Sequence, residues 1–158
     1  MEYRIYKTNR SGTGSAMGIS LANLRKPEET WDSWTIFLRL ARQSGENENG
    51  DSKFDWVGGI KIKMEALDAA EFLLVLQGTK EMAGQAGKGL YHESANGIRI
   101  IKFGVGEQGN ITLSISGFAK DRTPIPNIFI GISDAEATIL ANLLRYSIPY
   151  LSGWSHSN

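Results

Sequence analysis

The chain carries two imidazoles and no thiol: His92 and His156 are its histidines, and cysteine is absent. That excludes disulfides, thiol nucleophiles and thiolate metal sites in one step. His92 stands beside Glu93, but neighbouring residues on a strand point to opposite faces, so the two cannot form a proton-transfer dyad. A strand-end histidine that packs or hydrogen-bonds is the simpler reading. No serine lies in the G-x-S-x-G context of a nucleophile elbow. Gly104-Val105-Gly106-Glu107-Gln108-Gly109 spells G-x-G-x-x-G, yet a dinucleotide site needs those glycines between a strand and a helix. Here Asn110 to Ile115 follows with the alternation of a strand, so the run reads as a hairpin turn. Asn110-Ile111-Thr112 matches a glycosylation sequon and, without a secretory signal, reads as incidental. The acid pairs Glu65/Asp68 and Asp134/Glu136 suit helix N-termini better than acid–base work. No catalytic residue, metal ligand or cofactor is therefore expected, and the chain reads as something other than an enzyme.

The remaining chemistry lies in cations on strands. Net charge is zero, from 17 basic and 17 acidic residues, which taken alone counts against a nucleic-acid partner. The distribution differs from the balance. Arg4, Lys7, Arg25, Arg39, Arg42, Lys61, Lys63, Arg99, Lys102 and Lys120 fall on segments that read as strands, against the single acid Glu93. The acids gather in helix first turns and in the stretch from Glu46 to Asp51. Positive sheet surface beside outward aromatics, taken here as Phe37, Phe103 and Phe129, suits single-stranded nucleic acid. Cations meet phosphates there and bases stack on rings. The competing reading is that strand-borne Lys and Arg guard sheet edges against aggregation. Composition leaves both open.

These side chains need elements to position them. At 158 residues, 41% hydrophobic, the chain is long enough for one buried core and is read as a single domain over 1–158. It has no apolar run of membrane-spanning length. Strand alternation marks 3–8, 16–24, 34–42 and 60–64, with 44–52 as a polar flexible loop, and then the period turns helical over 65–77. The order repeats: strands at 90–93, 97–105, 110–118 and 127–132, then a helix over 134–151. Ser133 is its N-cap and Glu136 completes a capping box; Pro149 is expected to kink or end it. Ile60 to Met64 overlays Ile128 to Ile132 at an offset of 68, and Asp68 then matches Glu136. The fold expected is α+β, two ββββα repeats (about 3–83 and 88–154) whose antiparallel sheets pack on two helices.

Four segments add a resemblance. Tyr3-Arg4-Ile5-Tyr6-Lys7, Phe54-Asp55-Trp56, Leu90-Tyr91-His92-Glu93 and Ile148-Pro149-Tyr150-Leu151-Ser152-Gly153-Trp154 resemble, in order, four elements of the Whirly family of single-stranded-DNA-binding proteins. The C-terminal Pro-Tyr-Leu-x-Gly-Trp is the most specific. The resemblance implies a tetramer whose helices meet at its centre, and DNA laid along the sheets and across the edges between neighbouring protomers, with little sequence preference. Relatives in fold include a single-stranded-DNA-binding transcriptional coactivator and guide-RNA-binding proteins, so RNA stands as an alternative ligand. Plant members carry Lys-Gly-Lys-Ala-Ala-Leu on the second strand, where this chain has Gly14 to Ile19 without lysine.

The function expected is binding of single-stranded DNA in replication, repair or recombination. The alternatives are an RNA-binding or annealing protein and a structural oligomer without nucleic acid. The expected contacts are Phe37, Arg39, Lys61, Lys63, Arg99, Thr112, Ser114 and Phe129, each taken to alternate opposite to the core, with Trp56. For Trp56, as for Trp34, packing is an equal reading. A homotetramer is expected through Phe72, Leu73, Val75 and Leu76 with Ile139, Leu143, Tyr146 and Ile148, because both helices are apolar over more than one stripe. No targeting segment is read, and the expected location is the cytoplasm or nucleoid, away from membranes.

Overall fold

A computed structural model describes residues 2–154; His156 lies outside them. Glu2–Lys7 (β1), Ser15–Asn23 (β2), Trp34–Glu46 (β3), Ser52–Phe54 (β4) and Ile60–Met64 (β5) lead into the helix Ala66–Leu76 (α1). Leu90–Ser94 (β6), Gly97–Val105 (β7), Ile111–Phe118 (β8) and Pro124–Ile132 (β9) lead into Asp134–Leu151 (α2). Every pairing is antiparallel. The first sheet runs β1-β2-β3, and the second edge of β3 is shared between β5 and the short β4. The second runs β6-β7-β8-β9. The architecture is α+β as expected, with β4 as an addition.

Local chemistry explains most boundaries. The glycine run after β7 is a turn: Gly106 N–H donates to Asn110 O at 2.7 Å, Gly109 N–H to Gly106 O at 2.9 Å, and Gly109 takes a φ of +80° that favours glycine. β9 begins earlier than expected, at Pro124, because it pairs only with β8 and an edge strand tolerates proline. Polar residues Ser44 to Ser52 are not a loop throughout. β3 continues to Glu46 and turns back through Asn47, whose N–H donates to Asp51 O at 2.7 Å and whose Oδ1 accepts from Asn49 and Asp51 N–H. A hairpin held by its own backbone needs nothing to bury, so hydropathy does not reveal it. α2 runs past Pro149 to Leu151, since a missing N–H in the last turn costs little of the ladder.

The helices are exchanged between the two halves. α1 follows the first sheet in sequence but packs on β7 of the second as well as on β5; α2 follows the second sheet but packs on β3 of the first. Phe72 of α1 stacks on Phe103 of β7 with centroids 4.0 Å apart and planes 8° from parallel. Trp34 of β3 meets Tyr150 of α2 edge-on at 5.1 Å, so Trp34 serves packing. One hydrophobic core results, with Ile5, Met17 and Leu38 from the first sheet and Ile101, Leu113 and Ile130 from the second. Two expectations are corrected here. Phe103 does not face outward; it is 1% exposed. Phe72 and Val75 are likewise buried inside the chain, leaving them no surface for a subunit contact.

Polar ties reinforce the exchange. His92 Nε2 of β6 lies 3.3 Å from Asp68 Oδ1 of α1. The carboxylate of Glu71 on α1 accepts from Lys80 Nζ at 2.6 Å and Gly84 N–H at 2.8 Å, fixing the connection between halves. Lys7 of β1 reaches Glu136 on α2 at 2.7 Å, while Glu136 completes the capping box with Ser133. Burial pushes the Glu136 carboxyl up, but hydrogen bonds from Lys7 and Ser133 outweigh it and leave it below its ordinary value. A depressed native value means the unfolded chain binds more protons. The stabilisation is present above the unfolded value of about 4.3 and is lost as pH falls through the native one. Glutamine can still close the capping box. Glu136→Gln is therefore expected to cost about 1 kcal/mol at neutral pH, the ion pair's share, and almost nothing in strong acid. Urea midpoints of both proteins across pH would check this, and a pH-independent difference would refute it.

Candidate nucleic-acid interface

Alternation places even residues of β1 and β2, odd residues of β3, and Lys61 and Lys63 of β5 on the outer face of the first sheet. Two cross-strand rows result: Arg4, Gly18, Arg39, Lys61 and, beside it, Glu2, Ser20, Phe37, Lys63. In these rows β2 contributes the small residues Gly18 and Ser20 between the cationic strands. Trp56, in the turn after β4, has the guanidinium carbons of Arg4 and Arg39 each 5.1 Å from its ring centroid. Tyr6 meets Trp56 edge-on at 6.4 Å and Phe54 at 5.3 Å. Lys61 Nζ stands 3.9 Å over the Phe37 ring. Asp55 Oδ1 accepts from Gly58 N–H at 2.8 Å, tightening the turn that presents Trp56 and leaves Val57 fully exposed.

Glu2 is the acid within this face. Its carboxylate lies 2.6 Å from Arg4 and 3.6 Å from Arg39. It fits because Gly18 has no side chain: a Cβ there would sit 2.4 Å from Glu2 Oε1. Hydrogen bonds to Tyr6 Oη and to Glu2 raise the Arg4 guanidinium further above its ordinary value.

On the second sheet the outer row is Lys102, Ser114, Phe129, flanked by Tyr91, Ile100, Ser116 on one side and Gly104, Thr112, Gly131 on the other. Phe129 and Tyr91 are exposed, and Thr112 Oγ1 donates to Gly104 O at 3.4 Å. Of the expected contacts, Phe37, Arg39, Trp56, Lys61 and Lys63 come together on the first sheet, and Thr112, Ser114 and Phe129 on the second. Arg99 joins neither. It shares the core-side parity of Ile101 and Phe103, and its Nη1 donates to Ile98 O at 2.9 Å and Phe118 O at 3.2 Å at the rim. Arg4, Tyr6, Phe54 and Tyr91 join these groups of side chains without having been among the expected ones. The alternation of β1 would have found the first two, whereas Phe54 depends on the unpredicted β4.

The cations sort by sheet position. Arg25 and Lys120 fall in loops, and Lys7 is spent on Glu136. Lys61 and Lys63 stand on the edge strand β5, where protection from aggregation would account for them. Arg39 and Lys102 stand on β3 and β7, each paired on both sides, where no edge needs guarding. Among the described residues, Lys61, Lys63, Lys102, Arg42 and Arg99 have no carboxylate within salt-bridge distance. Among the same residues, no three acidic or histidine side chains converge where they could hold a metal ion, and no helix is long and apolar enough to cross a membrane.

A protein with paired antiparallel sheets, two central helices and cationic, aromatic outer faces has solved counterparts. The chain shares its fold with the Whirly proteins. WHY1 from Arabidopsis thaliana superposes with a TM-score of 0.70 at 15% identity, over 98% of this chain and 86% of that one. WHY3 from Arabidopsis thaliana gives 0.68 at 18% identity, over 98% and 90%. A guide-RNA-binding protein complex bound to a guide RNA gives 0.55 at 15% identity, over 87% of this chain and 94% of that one. No protein-family model matches the chain, and no curated protein matches it by sequence.

Proposed function

We propose that this protein binds single-stranded nucleic acid, DNA in the first instance, and acts by coating it rather than by transforming it. The observation that carries the reading is Trp56 held between Arg4 and Arg39 above a central sheet strand. A ring flanked by guanidiniums offers a base a stacking surface with cations at the distance of the adjoining phosphates. Stacking and phosphate contacts read no base edges, so sequence preference should be small. Such coating suits replication, repair or recombination, in the cytoplasm or on the nucleoid. RNA is the second reading. It is favoured by the likeness to the guide-RNA complex, and a 2′-hydroxyl could be met by Ser114 or Thr112 as readily as by water.

Anisotropy titrations with labelled single-stranded and duplex oligonucleotides at several salt concentrations test the proposal. Single strands should bind more tightly, with log affinity falling linearly in log salt at a slope near −0.7 per phosphate neutralised. Equal affinity for both forms, or none, overturns it. A competing RNA of matched sequence decides between the two ligands. Glu2 should act as an internal competitor for phosphate. Glu2→Gln is expected to tighten binding by about three- to tenfold and steepen the salt slope, because Arg4 and Arg39 lose their resident anion. Weaker binding by this variant would show that Glu2 positions the arginines instead.

We also propose that the chain is one domain built by duplication and that it assembles as a homotetramer. A mainly apolar groove of about 380 Å³ between β1, β2, β3 and α2 is lined by Tyr3, Ile19, Leu21, Ile36, Ile139, Leu143 and Tyr146, with Glu2 among its polar lining. Ile139 is 43% and Tyr146 63% exposed, surface that a second copy would cover. Four copies would multiply contacts to one strand and raise avidity. Ile139→Glu should lower the mass found by light scattering and leave a melting temperature that no longer rises with protein concentration. A wild-type monomer at micromolar concentration would refute the assembly.

A further inference from the structure

We propose that Arg42 grips a backbone phosphate where a bound strand crosses from the outer face of the first sheet to that of the second. This rests on the nucleic-acid reading above and adds a path to it. The core rows Leu38–Leu40 on β3 and Phe103–Ile101 on β7 continue, on the same parity, to Arg42 and Arg99. At this end of the molecule the apolar rows therefore stop in arginines, one from each sheet. Two hollows meet there. The first, about 470 Å³, is lined by Lys61, Asp55, Arg42, Arg99 and Pro126. The second, about 480 Å³, is lined by Arg42, Gln43, Ser15, Gly14 and Phe129. Lys61 belongs to the first outer face and Phe129 to the second, and Arg42 lines both hollows.

The guanidinium of Arg42 is placed but not neutralised. Its Nη2 donates to Asn127 O of β9, which anchors the fork across the gap between sheets. Ser15 Oγ donates to Phe129 O at 2.5 Å and braces the same junction. Among the described residues no carboxylate pairs with Arg42 or Arg99. Asp55 is the acid lining the first hollow, and it is bonded to Gly58 N–H. An arginine fixed by a carbonyl with its remaining donors free matches the planar two-oxygen face of a phosphodiester. Hollows edged by the unpaired guanidiniums of Arg42 and Arg99 and by Lys61 offer a passing backbone cations for its phosphates.

The test uses labelled DNA of about 5 and about 16 nucleotides, near the two ends of the range of single-strand site sizes. Arg42→Ala should weaken the longer strand about five- to tenfold and reduce its salt slope by about 0.7, while leaving the shorter within twofold. Arg42→Gln, which keeps a donor for Asn127 O, should do the same and carries the test if the alanine variant does not fold. An unchanged longer strand, or equal losses for both lengths, overturns the crossing. If Trp56→Ala still weakens both lengths in that case, binding on the first face stands and only the path falls. No binding by the wild type overturns both.

Discussion

Trp56→Ala is expected to weaken single-stranded DNA binding by about ten- to a hundredfold, the largest effect of any single change on the outer faces. Removing a ring on which one base stacks costs about 1–3 kcal/mol. The ring is only half-buried and contacts Tyr6 and the two arginines rather than the core, so stability should change little. Salt dependence separates this loss from an electrostatic one. Stacking releases no counterions, so Trp56→Ala should lower affinity at every salt concentration and leave the slope unchanged. Arg39→Gln or Lys63→Gln should flatten the slope. Trp56→Phe should recover most of the binding, since a smaller ring still stacks. Full affinity in Trp56→Ala would remove the observation on which the proposed function stands.

The parts of this fold that local patterns encode were legible. Alternation over 97–105 gave that strand its bounds, Ser133 and Glu136 announced the start of α2, and the strand pattern after Gly109 turned a cofactor-like glycine run into a hairpin. Interactions between distant positions were not legible. Trp56 meets Arg4 and Arg39 because β1, β3 and the turn after β4 converge, and no spacing in the chain encodes that. Nor does periodicity say which sheet a helix will cover, so the exchange of α1 and α2 was invisible. The misplacements of Arg99 and Phe103 share one cause. Ile98-Arg99-Ile100-Ile101 puts apolar residues on both parities of β7, and choosing the wrong one turns Arg99 and Phe103 outward together. The structure reverses both at once, and on β7 the outer cation is Lys102 rather than Arg99.

That reversal has a thermodynamic consequence, because Phe103 then belongs to the centre of the molecule. Phe103→Ala is expected to cost about 3–5 kcal/mol of folding stability, the range for truncating a buried phenylalanine. Against a total of about 5–15 kcal/mol for a protein of ordinary stability, the urea midpoint should fall by roughly 2 M. Had Phe103 faced solvent as a stacking platform, the same change would stay within about 0.5 kcal/mol and would weaken DNA binding instead. The partner matters as much as the burial. Phe103 stacks on Phe72, so the pair joins the helix of the first half to the sheet of the second, and its loss should loosen both halves in one transition. Two separate unfolding steps in Phe103→Ala would mean that the halves hold their own structure and the exchange of helices contributes little. A double-mutant cycle with Phe72→Ala isolates the stacked pair: a coupling of about 0.5–1.5 kcal/mol beyond area burial is expected, and strict additivity would show that the two rings fill space independently.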